Sequence, residues 1–240
     1  MRGEYEEPRN PYEVAAADMR EKIMSREWAP GYDLPSTEKL CELFGVTSPT
    51  MQRALAELKA EGWIVGHPGK GRQVRPNQIQ VVTAGTYFDP ATTDFKYDLI
   101  EVKRTTPVGD VGEILTGHGD GEAILRHRVM RDPLGPLEVE WSYYPAEIAD
   151  GTRIAEDRKI KGGAQRILNE LGFPEGSSAD EVTARDATGY ESQLLLLPPG
   201  VPVLRVLRTT FAKDDRLIEV TVMVKAGHLL AQRYERVPKP

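Results

Sequence analysis

The sequence predicts a two-domain α+β protein, helical in its amino-terminal third and mainly antiparallel β beyond it. Three observations carry this reading. The chain has 240 residues, more than one small core needs. Its hydrophobic and charged fractions, 40% and 28%, are those of an ordinary globular protein. Finally, apolar residues recur at helical spacing near the amino terminus, whereas from about Val81 the pattern becomes that of strands separated by isolated short helices.

Tyr12, Val14, Ala15, Met19, Ile23 and Met24 set out a first helix that stops at Trp28-Ala29-Pro30-Gly31. Ser36 is placed to cap a second, short helix whose Leu40, Leu43 and Phe44 form an apolar stripe ended by Gly45. A third helix restarts with Thr47 or Ser48 as cap and Pro49 in its first turn, turning Met51, Ala54, Leu55 and Leu58 to the core. Glu61-Gly62 closes it. Trp63-Ile64-Val65 reads as a strand, and His67-Pro68-Gly69-Lys70-Gly71-Arg72 as a turn before a second strand, Gln73-Val74-Arg75. Three short helices followed by a two-stranded wing describe a winged helix-turn-helix over residues 8–76.

The charge is distributed to suit that architecture. The whole chain carries a net −6, yet between Val46 and Pro76 five basic residues, Arg53, Lys59, Lys70, Arg72 and Arg75, face only Glu57 and Glu61. The first 45 residues hold six basic and ten acidic side chains, so any contact with a polyanion must be focused on the third helix and the wing.

Residues 77–90 read as a linker and 91–238 as the second domain. There, Tyr97 to Thr105 is extended, Pro107 opens a helix through Leu115, and Ala123 to Arg131 pairs as a hairpin with Leu137 to Tyr144 across Asp132-Pro133-Leu134-Gly135-Pro136. A helix follows at Ala164 to Leu171, a strand at Ala179 to Asp186 and a helix at Gly189 to Leu196. Val201 to Ala212 and Leu217 to Lys225 form the longest hairpin, and Gln232 to Val237 offers a final strand.

Several function classes lose ground. No stretch approaches the ~18 apolar residues of a membrane span, and the acidic amino terminus does not look like a secretion signal. A cytoplasmic location is expected. Cys41 is alone and reads as a buried helix residue; His67, His118, His127 and His228 form no short-spaced ligand pair. Neither a phosphate-cradling loop nor a dinucleotide fingerprint is present. No cofactor, metal site or catalytic residue is expected.

The runs Leu34-Pro35-Ser36-Thr37-Glu38-Lys39-Leu40, Phe44-Gly45-Val46-Thr47, Thr50-Met51-Gln52-Arg53-Ala54-Leu55, Glu61-Gly62-Trp63-Ile64 and Gly69-Lys70-Gly71 resemble the DNA-binding domain of GntR-family transcriptional regulators. Ala123-Ile124-Leu125-Arg126-His127-Arg128, Glu140-Trp141-Ser142-Tyr143-Tyr144-Pro145 and Leu197-Pro198-Pro199-Gly200-Val201-Pro202 resemble the HutC subfamily. The second domain of that subfamily, UTRA, is a ligand-binding module similar in fold to chorismate lyase. The resemblance implies a homodimeric regulator, a repressor modulated by a small-molecule effector, acting on palindromic double-stranded operator DNA. Glu38, Ser48 and Gln52 stand where family members often carry arginine, which implies altered base recognition. Gly162-Gly163-Ala164 stands where a serine or threonine often meets the effector, a departure from the sugar-phosphate pattern.

Candidate DNA contacts are Ser36, Thr37, Ser48, Thr50, Gln52, Arg53, His67, Gly69, Lys70 and Arg72. Gln52 suits adenine, Arg53 guanine or phosphate, and Ser48 and Thr50 phosphates at a helix start. Being consecutive, Gln52 and Arg53 diverge by about 100°, so at most one points squarely at base edges. Lys70 and Arg72 flank Gly71 on one face of the wing; His67 is either a wing contact or a turn residue. Candidate effector contacts are Arg126 and Arg128, two apart on one strand and suited to an anionic group, with Glu140 on the partnering strand and Glu219 on the last hairpin, at positions that resemble polar ligand contacts in UTRA domains. The alternative is an exposed Arg/Glu sheet face. Trp141 and Tyr143 read as core. A constitutive DNA-binding protein with a dimerisation-only second domain, or a lyase-like enzyme, are the rival functions.

Overall fold

A computed structural model describes residues 10–67, 71–76, 80–83, 95–133, 135–197 and 201–234. The chain divides into two compact units, Met1–Gln80 and Val81–Pro240.

In the first unit, α1 (Pro11–Met24) starts at a capping box in which the Asn10 backbone N–H donates to Glu13 at 3.1 Å. It buries Ala15, Ala16, Met19 and Ile23. α2 (Thr37–Phe44) is capped by the Ser36 hydroxyl, which accepts from the Lys39 N–H at 3.3 Å, and it ends at Gly45, whose φ of 66° a side chain would resist. Leu40 is buried, and Cys41, expected to be buried, is only partly so, packing with Phe44 beside it, whereas Leu43 is 57% exposed. The expected stripe was therefore rotated: on a two-turn helix the contact with the third helix admits Cys41 in place of Leu43. α3 (Ser48–Ala60) buries Met51, Ala54, Leu55 and Leu58, as its periodicity requires.

β1 (Ile64–His67) and β2 (Gly71–Val74) pair antiparallel, with Ile64 opposite Val74 and His67 opposite Gly71. The second strand begins two residues before the expected Gln73. A connection read as a turn also joins the sheet: Gly31 and Leu34 donate to Val74 and Arg72, and Val74 donates back to Tyr32, all within 2.8–3.0 Å.

The second unit is a six-stranded sheet in the order β4-β5-β6-β9-β8-β7, every pair antiparallel. The strands are β4 (Lys96–Thr105), β5 (Ala123–Asp132), β6 (Gly135–Pro145), β7 (Glu175–Asp186), β8 (Pro202–Ala212) and β9 (Leu217–Ala226). β3 (Gln80–Thr83) lies inside the stretch expected to be linker and pairs with β10 (Leu230–Arg233), which starts before the expected Gln232. β7 begins at Glu175, earlier than the expected Ala179.

Both faces of the sheet centre are covered. On one side, α4 (Gly109–His118) packs Val111 and Leu115 near Ala123, Leu207 and Val220, and α7 (Gly189–Leu195) packs Leu195 against Val129, Val139, Val203 and Val224. On the other, α5 (Ala146–Ala149), a 3-10 turn at Arg153–Ala155 and α6 (Gly163–Glu170) close over Ile124, Tyr144 and Ile218 with Ile148, Ile154, Ala164, Ile167 and Leu168. α5 and the 3-10 turn were not foreseen, because each is about one turn long and carries no periodicity to read.

Candidate nucleic-acid interface and a buried polar face

In the first unit the third helix presents its amino-terminal half. Ser48, Gln52 and Arg53 are exposed, Thr50 is half-buried, and the first turn contains no acid. Glu57 on α3 and Glu61 just after it are both held by Arg20 of α1 at 2.6 Å. Those ion pairs hold the Arg20 guanidinium above its usual pKa, mainly through the hydrogen bond to Glu61. The exposed helix start and the positive end of its dipole make this end of α3 attractive to a polyanion.

Gln52 and Arg53 separate as their angular divergence requires. The Arg53 guanidinium lies 3.8 Å over the Tyr12 ring of α1, a cation–π contact, whereas Gln52 stands exposed on the helix. Thr50 shares a hydrogen bond of 2.9 Å with Thr47, and the Ser36 hydroxyl is spent on its cap. Arg72 on β2 donates to the Thr37 hydroxyl at 3.3 Å, which ties the wing to the start of α2. Gly69 and Lys70 lie outside the described residues, as does the His67 side chain. Sequence reasoning missed Tyr12 and Arg20, whose roles depend on helix packing rather than on local spacing.

In the second unit, strand alternation brings the four effector candidates to one face, and the face is buried rather than solvated. Arg126 is 2% exposed and donates to three backbone carbonyls, those of Ile154, Glu156 and Arg158, at 2.7–2.9 Å. Its guanidinium therefore anchors the loop that follows α5, in contrast to the ligand-facing group expected. Arg128 is paired with Glu140, lies 5.3 Å from the centre of the Tyr97 ring and reaches the Ser142 hydroxyl at 3.2 Å.

A hydrogen-bonded chain continues from there. Ser142 donates to Glu140 at 2.7 Å, Thr221 donates to Glu219 at 2.8 Å, and the two hydroxyls lie 3.2 Å apart. Tyr144 also donates to Glu219, at 2.9 Å; burial, then the Glu219 charge, push its phenol well above its ordinary pKa. Two further ion pairs flank the chain on the same face. Lys225 is bonded to Glu138, both at most 3% exposed, and Arg208 holds Asp180 in two bonds of 2.6 and 2.8 Å. Burial alone would raise the Asp180 carboxyl, but the Arg208 hydrogen bonds and charge bring it below the usual range.

These additional polar groups carried a signal in sequence. Glu138, Glu140, Ser142 and Tyr144 alternate with Leu137, Val139, Trp141 and Tyr143, and Glu219, Thr221 and Lys225 alternate with Val220, Val222 and Val224. Behind the face, His127 is stacked on Trp141 at 4.6 Å, meets the Glu140 carbonyl through Nδ1 and the Tyr190 hydroxyl through Nε2, each at 3.0 Å. Burial lowers the imidazole pKa, so the neutral ring donates from Nδ1 and accepts at Nε2. Among the described residues no cluster of histidine, cysteine and carboxylates is arranged to hold a metal, and no helix is long and apolar enough to cross a membrane.

Comparison with known proteins is consistent across both units. The family model for bacterial regulatory proteins of the gntR family matches residues 11–74, and that for the UTRA domain matches residues 93–229. An HTH-type transcriptional regulator of Streptomyces coelicolor is 28% identical over 241 residues, covering 91% of this chain and 90% of the relative. The HTH-type transcriptional repressor NagR of Bacillus subtilis is 26% identical over 220 residues, 87% of each chain. The crystal structure of PhnF from Mycobacterium smegmatis, 20% identical, superposes with a TM-score of 0.60 over 94% of this chain and all of that one, and so shares the fold.

Proposed function

Since the chain belongs to the UTRA-domain regulators of the gntR family, we propose that it is a homodimeric transcriptional repressor, not an enzyme, whose polar sheet face receives a small-molecule effector. As an HTH-type transcription regulator it acts on DNA. The reading assigns α3 to the major groove of a palindromic operator, with Gln52 reading a base edge and Ser48, Thr50 and Arg72 holding phosphates. Lys70 and Gly69 are assigned to the remaining backbone contacts; Arg53, drawn over Tyr12, meets a phosphate rather than a base. The observation that carries this assignment is the acid-free, exposed start of α3, while Glu57 and Glu61 at its far end are engaged by Arg20.

The effector role rests on the buried chain from Arg128 through Glu140, Ser142, Thr221 and Glu219 to Tyr144. A polar network of this size is costly to bury unless every group finds a partner. It can exchange its internal bonds for those of a polar ligand at little net cost. Arg128, 18% exposed in its side chain, is the cation nearest to solvent in that chain, and Arg126 positions the covering loop. Release of DNA follows if the effector binds more tightly to the dimer geometry that does not fit the operator. The domains are assigned as residues 8–76 and 91–238, with β3 of the intervening segment paired to β10 of the second.

Sequencing duplexes captured by the purified protein from a randomised pool tests the DNA assignment. A two-fold symmetric consensus is expected; capture without enrichment of any sequence overturns it. A ligand screen by thermal shift, followed by operator binding with each hit, tests the coupling. A hit that stabilises the protein and leaves operator affinity unchanged overturns that part.

A further inference from the structure

The first helix carries two residues that bear on Arg53 of α3, and both act in the same direction. Tyr12, in the first turn of α1, is half-buried against the core of the first unit, and the Arg53 guanidinium lies 3.8 Å from the centre of its ring. The ring is itself held. Its hydroxyl donates to Glu13 at 2.8 Å, and the same carboxylate accepts from the Asn10 backbone N–H at 3.1 Å and from the Asn10 side-chain amide at 3.0 Å. The box that caps α1 therefore also fixes the surface on which Arg53 rests.

Arg20, further along α1, removes a competitor. Residues four apart on a helix are neighbours, and an arginine at 53 has Glu57 within reach. Pairing of the two would draw the guanidinium towards the carboxyl-terminal end of α3, away from Ser48, Thr50 and Gln52. Glu57 is instead taken by Arg20 at 2.6 Å, and among the described residues Arg53 makes no ion pair. A flat guanidinium resting on a ring face keeps its edge N–H groups free to donate. A long side chain that is ordered beforehand gives up less freedom on binding.

We propose that Tyr12 is a positioning residue for DNA binding: its ring pre-orients the Arg53 guanidinium, while Arg20 keeps Glu57 from drawing it away, so that the arginine meets a DNA phosphate already ordered. This extends the phosphate role assigned to Arg53 above and rests on it.

The test measures binding of the full chain to the selected operator and to a random-sequence duplex at low salt. The parent, Arg53→Ala, Tyr12→Leu, Tyr12→Phe and the double variant of Tyr12→Leu with Arg53→Ala are compared, with a melt of each. Leucine keeps an apolar side chain against the core and removes the ring face; phenylalanine keeps the face and loses only the hydroxyl. Arg53→Ala is expected to weaken both duplexes and to lower the slope of log affinity against log salt by roughly one unit. Tyr12→Leu should weaken both about three- to tenfold, and Tyr12→Phe should stay within about twofold of the parent. Once Arg53 is alanine, Tyr12→Leu should add nothing. Equal losses from Tyr12→Leu in the two backgrounds show that the ring acts through the fold or by itself, and overturn the proposal. So does a Tyr12→Leu protein of parental affinity, or a Tyr12→Phe protein as weak as it. Arg53→Ala without effect on either duplex removes the phosphate role, and the positioning with it. Arg53→Lys, at an exposed position, covers the case in which Tyr12→Leu melts early: it retains the charge but not the flat face and is expected to bind more weakly than the parent, whereas parental binding overturns the proposal.

Discussion

Lys225 and Glu138 form an ion pair with side chains 2% and 4% exposed, on adjacent strands at the centre of the sheet. Replacing Lys225 with Met keeps the volume and the apolar stem but leaves Glu138 without its counter-charge. Breaking a buried pair in this way costs about 3–5 kcal/mol. For a unit of this size each kcal/mol shifts the melting temperature by roughly 2–4 °C, so a loss on the order of 10 °C is expected. The loss depends on pH with a defined sign. Burial already pushes the Glu138 carboxyl above its ordinary pKa against the pull of Lys225, and without the lysine that tendency grows. A group whose folded pKa is raised is best tolerated at low pH, where it is protonated in both states, and its cost appears as pH rises through the folded value. Lys225→Met should therefore fall furthest below the parent at neutral to alkaline pH. Adding Glu138→Leu removes the orphaned charge and should restore most of the stability. Thermal melts of the parent, single and double variants across pH 4–9 provide the assay. A single variant as stable as the parent at neutral pH, or a double variant no better than the single, refutes the premise that the pair is enclosed.

Three further outcomes can be checked separately. Gln52→Ala should cost about 1–3 kcal/mol of operator affinity, concentrated at one base pair and small for unrelated DNA, as read by binding to single-substitution operators. Arg72→Ala should weaken operator and nonoperator duplexes together and reduce the slope of log affinity against log salt by roughly one unit; loss confined to the operator would contradict a phosphate role. His127 is held neutral between the Glu140 carbonyl and Tyr190, with its folded pKa lowered chiefly by burial. The unfolded chain then binds the proton more readily, so stability is full above the ordinary imidazole value of about 6.5 and is lost as pH falls below it towards the folded value. Melts of the parent and His127→Phe should diverge in their pH dependence over that window, with the variant the flatter.

The helices of the first unit were legible because each boundary is marked locally: Pro11 after Asn10, Ser36 before α2, Gly45 after it, Pro49 in the first turn of α3. Pairing of β5 with β6 and of β8 with β9 was likewise visible from strand length and turn residues. The stripe on α2 was misplaced, since the choice between Leu43 and Cys41 is made by the helix it packs against. Strand alternation put Arg126 and Arg128 on one side of their strand, but it could not distinguish a guanidinium facing a ligand from one fixed to Ile154, Glu156 and Arg158, nearly thirty or more residues away.

By itself, then, the order of residues determined the elements, the side of each strand on which a charge falls and the local excess of cations in an acidic chain, because caps, turns and periodicity act over a few neighbours. Tertiary structure alone decided which acids Arg20 neutralises, whether the charged sheet face is wet or enclosed, and which partner each buried cation takes. Those outcomes depend on desolvation and on distances between groups remote in the chain, quantities that exist only once the sheet has formed and α5, the 3-10 turn and α6 have closed over it.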